Sequence, residues 1–313
     1  MKIFLAGATG AVGRQLIPAL VEAGHEVIGT TRSAAKAGGI QVAGAEPVVL
    51  DALDREAVLE AVTEAGPDVV IHQLTAIGRA DFKRFDDAFA ATNALRTRGL
   101  DYLLEAARKA GARRFIAQSY TGWPNPHSGS AVKTEEDPLD PEPAAASARS
   151  LAAIRHVESM VPGAADIEGL VLRYGSFYGP GTSFDRGGEI YELVAKRRMP
   201  IVGGGGGVFS FIHIKDAARA TAMAVERGRP GVYNIVDDDP ASVATWLPYY
   251  AQIIGAKQPF RAPAWLVRPM LGEFGVATMT TMRGSANSKA KAELGWTPSY
   301  PSWRDGFREV GPA

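Results

Sequence analysis

Apolar residues in the first half of the chain fall in short runs, each followed by a longer stretch at helical spacing. Ile3 to Ala6, Glu26 to Thr30, Ala45 to Leu50, Asp68 to Ala76, Arg114 to Ser119 and Gly169 to Tyr174 read as strands. Val69 to Ile71 is apolar without alternation, as in a parallel strand covered on both faces. Between the runs, Val12, Leu16, Ala19, Leu20 and Ala23 recur as on one face of a helix, which Pro18 is expected to bend or loosen. Leu53 onward, Phe85 to Ala110 and Ala144 to Met160 also read as helical. The alternation predicts an α/β fold, a Rossmann-type doubly wound parallel sheet.

After Tyr174 the pattern loosens. Glu189 to Arg198 and Asp216 to Glu226 read as helices, Phe209 to Ile214 and Gly231 to Val236 as strands, and the rest mostly as short helices. The expected division is a dinucleotide-binding domain over 1–174 and, over 175–313, mainly a smaller interleaved substrate lobe. Elements at about 209–238 partly return to the sheet. The glycine run Gly203 to Gly207 reads either as a mobile substrate loop or as a hairpin tip.

The first strand–helix junction carries the clearest chemistry. Gly7, Gly10 and Gly13 stand at three-residue spacing between strand and helix, as a dinucleotide pyrophosphate requires. Gly7 permits a turn that a Cβ would penalise, Gly10 lets the backbone approach phosphate, and Gly13 lets helix and strand pack closely. Gly7, Thr9, Gly10, Ala11, Val12 and Gly13 are therefore the expected cradle, with the helix N-terminus offering N–H groups to the anion. The second strand ends in Thr30-Thr31-Arg32-Ser33, where an acid would hold the ribose of NAD. A guanidinium at Arg32, with hydroxyls from Thr31 or Ser33, suits a 2′-phosphate instead, so NADP(H) is expected over NAD(H). Asp51 follows the third strand and reads either as an adenine acceptor or as a helix N-cap. Leu74, Thr75 and Ala76 fall at the end of the fourth strand, beside the cofactor. His72, inside that strand, fits a packed core histidine better than a catalytic one. Asn93, mid-helix, either bonds across to a neighbouring loop or is exposed. Ser119, Tyr120 and Thr121 should open into the ligand cleft at the end of the fifth strand.

Composition narrows the rest. Lys+Arg and Asp+Glu both total 34 in 313 residues, a balance that gives no support for nucleic-acid binding. There is no cysteine, and the five histidines are scattered, so no metal site is expected. The first strand begins at the N-terminus, leaving no room for a signal peptide, and no apolar run is long enough to span a bilayer. The expectation is a cytoplasmic protein with a small-molecule substrate and neither nucleic-acid nor membrane partner.

Several residues together give a resemblance. Gly7-Ala-Thr-Gly-Ala-Val-Gly13, Asp51, Asn93, Leu172-Arg-Tyr174, Tyr178-Gly-Pro-Gly181, Phe211-Ile-His-Ile-Lys-Asp216 and Tyr233-Asn-Ile235 resemble, in order and spacing, the extended short-chain dehydrogenase/reductases, the NAD(P)-dependent epimerase/dehydratase group. The resemblance covers nearly the whole chain. It implies a dinucleotide on the N-terminal sheet, substrate in the C-terminal lobe, and a homodimer through the helices 85–110 and 144–160. It also implies a tyrosine with a lysine four residues on, the lysine holding the nicotinamide ribose and lowering the phenol pKa. A phenol that ionises near ~10 is otherwise a poor base at neutral pH. Of the nine tyrosines here, none has lysine four residues on. Anchored on Glu158, the two positions fall on Ser150 and Ile154. The chain is thus similar to atypical members of the group.

By the same resemblance Tyr120 takes the place of the family's strand-end hydroxyl, with Ser119 just before it, and stands either as a relocated proton donor or as a wall of the pocket. Tyr174 matches a tyrosine near the nicotinamide and reads either as catalytic or as core. Ser176 faces substrate, and Trp123 and Phe177 line an apolar pocket or belong to the core. Lys133 could fold in as a substitute cation but reads better as solvated, and His213 as structural. The leading expectation is an NADP(H)-dependent oxidoreductase of a small carbonyl or alcohol, with an NAD(P)-dependent epimerase/dehydratase and a non-catalytic NADP(H) sensor as alternatives.

Overall fold

The computed structural model describes residues 1–78 and 81–311. Seven parallel strands form the central sheet: β1 (Lys2–Ala6), β2 (Glu26–Thr31), β3 (Glu46–Val49), β4 (Val69–His72), β5 (Arg114–Tyr120), β6 (Glu168–Tyr174) and β7 (Gly231–Ile235). Their spatial order is β7-β6-β5-β4-β1-β2-β3, so the chain reverses direction of growth at β1, between β2 and β4. A crevice opens at that switch point, beyond the carboxyl ends of the strands.

Both faces of the sheet are covered, which is why its strands are apolar without alternation. On one face, Leu16, Ile17 and Leu20 of the helix Ala11–Glu22 meet Ala217, Ala220 and Ala224 of the helix Ile214–Ala224 over Ile3, Leu5 and Ile71. On the other, Val58, Val62, Leu103, Leu104 and Val157 pack on Phe4, Val70 and Phe115. A separate aromatic core built on Phe211, Trp246, Tyr250, Trp303 and Phe307 holds the later residues together.

Several elements differ from the sequence reading. Pro18 lies on the exposed side of its helix, which runs on to Glu22. The helix expected from Leu53 starts at Arg55, capped by the Asp54 side chain on the Ala57 N–H. The expected single helix over 85–110 is broken into Phe85–Ala88, Ala90–Ala94, a π-helical turn Leu95–Gly99 and Leu100–Lys109. The break at Phe89 and the wide turn reflect tertiary contacts that spacing along the chain does not encode. Gly203–Gly207 is no hairpin tip, because the strands flanking it pair elsewhere. Its glycines press on the end of the kinked helix Ala264–Thr280: a Cβ at Gly207 would lie 2.2 Å from Thr278 O.

Candidate functional site

The glycine turn closes the crevice on the β1 side. Gly7 has φ +98°, and a Cβ there would sit 2.6 Å from Gln73 O, so β4 closes over the turn only because Gly7 has no side chain. A Cβ at Gly13 would lie 2.3 Å from Gly7 O and 2.6 Å from Ala8 O, which is what lets the helix follow the strand so tightly. A Cβ at Gly10 would press on Gly7 O alone, at 3.2 Å, a tight contact with the turn's own backbone but the only one within 4 Å among the described residues. Gly10 is also the N-cap and makes no side-chain capping bond, and no acid occupies the first turn. The partial positive charge of the helix end is thus left for an anion. Thr9, Ala11 and Val12 lie in this same turn. The residues fit the pyrophosphate of a dinucleotide.

At the end of β2, Arg32 is exposed and pairs with no carboxylate among the described residues. Thr31 is buried, and its hydroxyl both accepts from the Ser33 N–H at 3.2 Å and faces Ser33 O at 3.4 Å. Thr31 therefore builds the turn that presents Arg32 and Ser33, and its hydroxyl is not the free donor expected from sequence. Asp51 Oδ1 accepts from the Leu53 N–H at 3.0 Å; it shapes the turn into the next helix without being its cap. Leu74, Thr75 and Ala76 are held from two sides. Gln118 Nε2 donates to Leu74 O at 3.1 Å, and the Ala76 N–H donates to Thr92 Oγ1 at 3.0 Å. Thr75 is left exposed on this braced loop.

A second group of candidate side chains lies at the ends of β5 and β6. Tyr120 Oη and Ser176 Oγ share a hydrogen bond at 2.9 Å. Burial raises the Tyr120 pKa, and the bond to Ser176 only partly offsets it, so the phenol is held protonated. Phe177 packs on Tyr174, ring centroids 5.3 Å apart. Trp123 meets Phe85 and Phe274 edge-on at 5.2 and 5.5 Å and lines a cavity of 280 Å³ with His127, Asp140 and Glu142. A larger trough of 670 Å³ runs along the outer side of the helix Arg55–Ala65 and holds none of these residues.

Two expected catalytic groups are placed differently. Tyr174 is 1% exposed, and its hydroxyl is bonded to Gln73 Nε2 at 2.8 Å and Thr221 Oγ1 at 2.7 Å. Burial pushes its pKa up to about 12. It is a core tyrosine. Ser119 points to the opposite face of the sheet from Tyr120, as strand alternation requires, and donates to Glu158 Oε1 at 2.8 Å. Glu158 is in turn paired with Arg173 at 2.8 and 2.6 Å, both side chains buried. Lys133, read as solvated, is buried beside Ser285 and paired with Asp137 at 3.1 Å. His213 is structural as expected: it accepts from the Lys215 N–H and stacks on Tyr300. His72 is fully buried, with Nε2 3.1 Å from Leu95 O, and burial lowers its pKa so that it stays neutral.

Ser150 and Ile154 are fully buried in the helix Ala148–Met160. Asn93 bonds to this helix, not to a loop: its Nδ2 donates to Ser150 Oγ at 3.0 Å. Ser150 Oγ donates to Asp86 Oδ1 at 2.6 Å, and Asp86 also accepts from the Arg149 and Ser150 N–H groups at 2.8 Å each. Ser147, the N-cap, turns its hydroxyl back to Ala144 O at 3.1 Å and caps no N–H of the helix, so Asp86 caps it from another element. Sequence reading missed Asp86, whose partners lie more than sixty residues away. It also missed Arg96, although a charge on the apolar stripe of Leu100, Leu103 and Ala107 is a visible anomaly.

A glycine turn at a sheet's switch point, with an uncapped helix end and a strand-end phenol in the same crevice, defines a nicotinamide-dinucleotide enzyme of Rossmann type. The chain belongs to the NAD dependent epimerase/dehydratase family, whose model matches residues 3–236. It is 45% identical over 312 residues to a 3-diazoavenalumate denitrifying reductase of a Streptomyces species, covering 98% of this chain and 99% of the relative. A 4-hydroxy-2-methyl-3-oxo-4-farnesyl-3,4-dihydroquinoline-1-oxide ketoreductase of Stigmatella aurantiaca is 26% identical, covering 100% and 97%. Among solved structures, UDP-glucose 4-epimerase of Thermotoga maritima superposes with a TM-score of 0.78 at 23% identity, covering 99% and 97%. A human epimerase family protein solved with NADPH superposes at 0.73 and 18%, covering 99% of each chain. The protein is an NAD(P)-dependent oxidoreductase. Among the described residues no helix is long and apolar enough to cross a membrane.

Proposed function

We propose that the protein is an NADP(H)-dependent reductase of a small unsaturated substrate, with Tyr120 facing the group that receives hydride. The observation that carries this reading is the Tyr120–Ser176 pair at 2.9 Å, the two hydroxyls left at the crevice once Ser119 and Tyr174 are bonded elsewhere. A bound nicotinamide supplies the hydride. Arg32 binds the 2′-phosphate, the turn Gly7–Gly13 takes the pyrophosphate, and Leu74–Ala76 with Asn93 border the nicotinamide half. Tyr120, protonated at neutral pH, gives its proton to a developing carbonyl oxygen, and Ser176 holds the phenol in line. Trp123 and Phe177 bound the substrate. The homodimer through the helices 85–110 and 144–160 that the resemblance implies is tested by sedimentation.

A second reading concerns the substrate. Among the described residues no cation contributes to the shift of the Tyr120 pKa. An acceptor that is already electron-poor needs little help from an acid. The 45% identical relative is named for reductive removal of a diazo group, and an arenediazonium is such an acceptor. Hydride added to its terminal nitrogen gives a neutral aryldiazene, which loses dinitrogen and leaves a ring C–H bond.

Cofactor oxidation measured against a panel of aldehydes, ketones and arenediazonium salts tests both. Turnover of carbonyls that collapses in Tyr120→Phe supports the first. Turnover of diazonium salts with dinitrogen release, unaffected by that substitution, supports the second. Cofactor binding without turnover of any of them would return the sensor reading.

A further inference from the structure

Arg96 is 5% exposed, and its Nε and Nη1 have no hydrogen-bond partner among the described residues. A buried guanidinium with unpaired N–H groups is costly, and a fold seldom keeps one without a use. The nearby carboxylate, Glu158, is taken: Oε1 accepts from Ser119 and Arg173, and Oε2 from Arg173. Glu158 attracts Arg96 without forming an ion pair with it, and burial draws the guanidinium pKa down to about 10.

One turn earlier, Asn93 Oδ1 is also buried without a partner among the described residues, while its Nδ2 is committed to Ser150. Residues three apart share a helix face, so an unpaired acceptor and unpaired donors stand side by side. The helical segment from Ala90 and the helix Ala148–Met160 each run back from one strand end to the start of the next parallel strand, so they run in the same direction. The Asn93–Ser150 bond sets their register. At about 1.5 Å per residue, Arg96 lies about 4.5 Å past Asn93 and Ile154 about 6 Å past Ser150. Arg96 therefore stands about level with Ala153, one residue short of Ile154, in the π-helical turn Leu95–Gly99, a local geometry frequent at functional sites.

We propose that Arg96 and Asn93 form a hydroxyl-binding slot for the nicotinamide-side ribose of the bound cofactor. A ribose hydroxyl both donates and accepts, so it satisfies Asn93 Oδ1 and Arg96 together; a carboxylate, acceptor only, would leave Asn93 Oδ1 facing negative charge. The slot belongs to the β4–β5 half of the crevice, since Leu95 O is bonded to His72 at the end of β4. The inference rests on the nicotinamide-cofactor reading above.

The test compares NADPH with adenosine bisphosphate, its adenine half, by fluorescence titration of the wild type, Arg96→Met and Arg96→Lys. Arg96→Met should weaken NADPH binding about ten- to hundredfold, leave adenosine bisphosphate within about twofold, and melt in the cofactor-free state no lower than wild type, because an unpaired buried charge has been removed. Arg96→Lys should recover part of the affinity. Equal weakening of both ligands, or a lowered melting temperature, would make Arg96 a structural residue and overturn the slot. Unchanged NADPH affinity in Arg96→Met would overturn it as well. A wild type that binds no nicotinamide cofactor would instead overturn the reading beneath it.

Discussion

Tyr120 Oη lies 2.9 Å from Ser176 Oγ, a hydrogen bond between the end of β5 and the short strand Ser176–Tyr178 that follows β6. If the phenol is the acid for carbonyl reduction, Tyr120→Phe lowers kcat by roughly 100-fold or more with little change in KM. The pH profile follows from the sign of its shift. Burial raises the pKa, the protonated form is the active one, and so kcat stays flat through neutral pH and falls only above the ordinary phenol range of ~10. A kcat that falls below pH ~9 would assign that limb to another group.

The glycines of the first turn separate fold from binding. A methyl at Gly13 collides with backbone oxygens at 2.3 and 2.6 Å, so Gly13→Ala should fail to fold or melt far below wild type. At Gly10 a methyl would meet Gly7 O alone, at 3.2 Å, a contact that a small shift relieves, so Gly10→Ala should fold, melt only a little below wild type and bind cofactor at least about tenfold more weakly. Thermal melts and cofactor titrations on both variants check the contrast.

Arg32 is exposed and pairs with no carboxylate among the described residues, as a specificity contact for a phosphate would be. Arg32→Ala should raise the KM for NADPH about tenfold or more and leave that for NADH within about twofold. Equal effects on both cofactors would remove the 2′-phosphate role.

Asp86 holds two N–H groups and one hydroxyl of the helix Ala148–Met160. Asp86→Ala removes a cap and strands buried donors, a loss of about 2–4 kcal/mol. Chemical denaturation should read that loss. Asp86→Asn should recover part of it, since an amide oxygen still accepts.

Buried His72 makes stability depend on acid. Its folded pKa is lowered, so its contribution is fully present above the unfolded value of ~6.5 and is lost as pH falls toward the lower folded value. Melting temperature should therefore drop between about pH 7 and pH 5, and His72→Gln should flatten part of that drop.

What the chain encodes locally was legible. The sheet follows from uninterrupted apolar runs such as Val69–Ile71, because a parallel strand must be buried on both faces. The glycine turn follows from Gly7, Gly10 and Gly13, because the positive φ of Gly7 and the close approach of Gly13 to Gly7 and Ala8 are set within a few residues, although Gln73 also closes on Gly7 from afar. Which polar groups remain available for chemistry was not local. Tyr174 was lost to Gln73, 101 residues away, Ser150 to Asp86, 64 away, and Ser119 to Glu158, 39 away. Lys133 became a buried ion-pair partner because a loop folded onto Ser285. A buried donor takes whatever acceptor packing brings within about 3 Å, and only the tertiary structure decides which one that is.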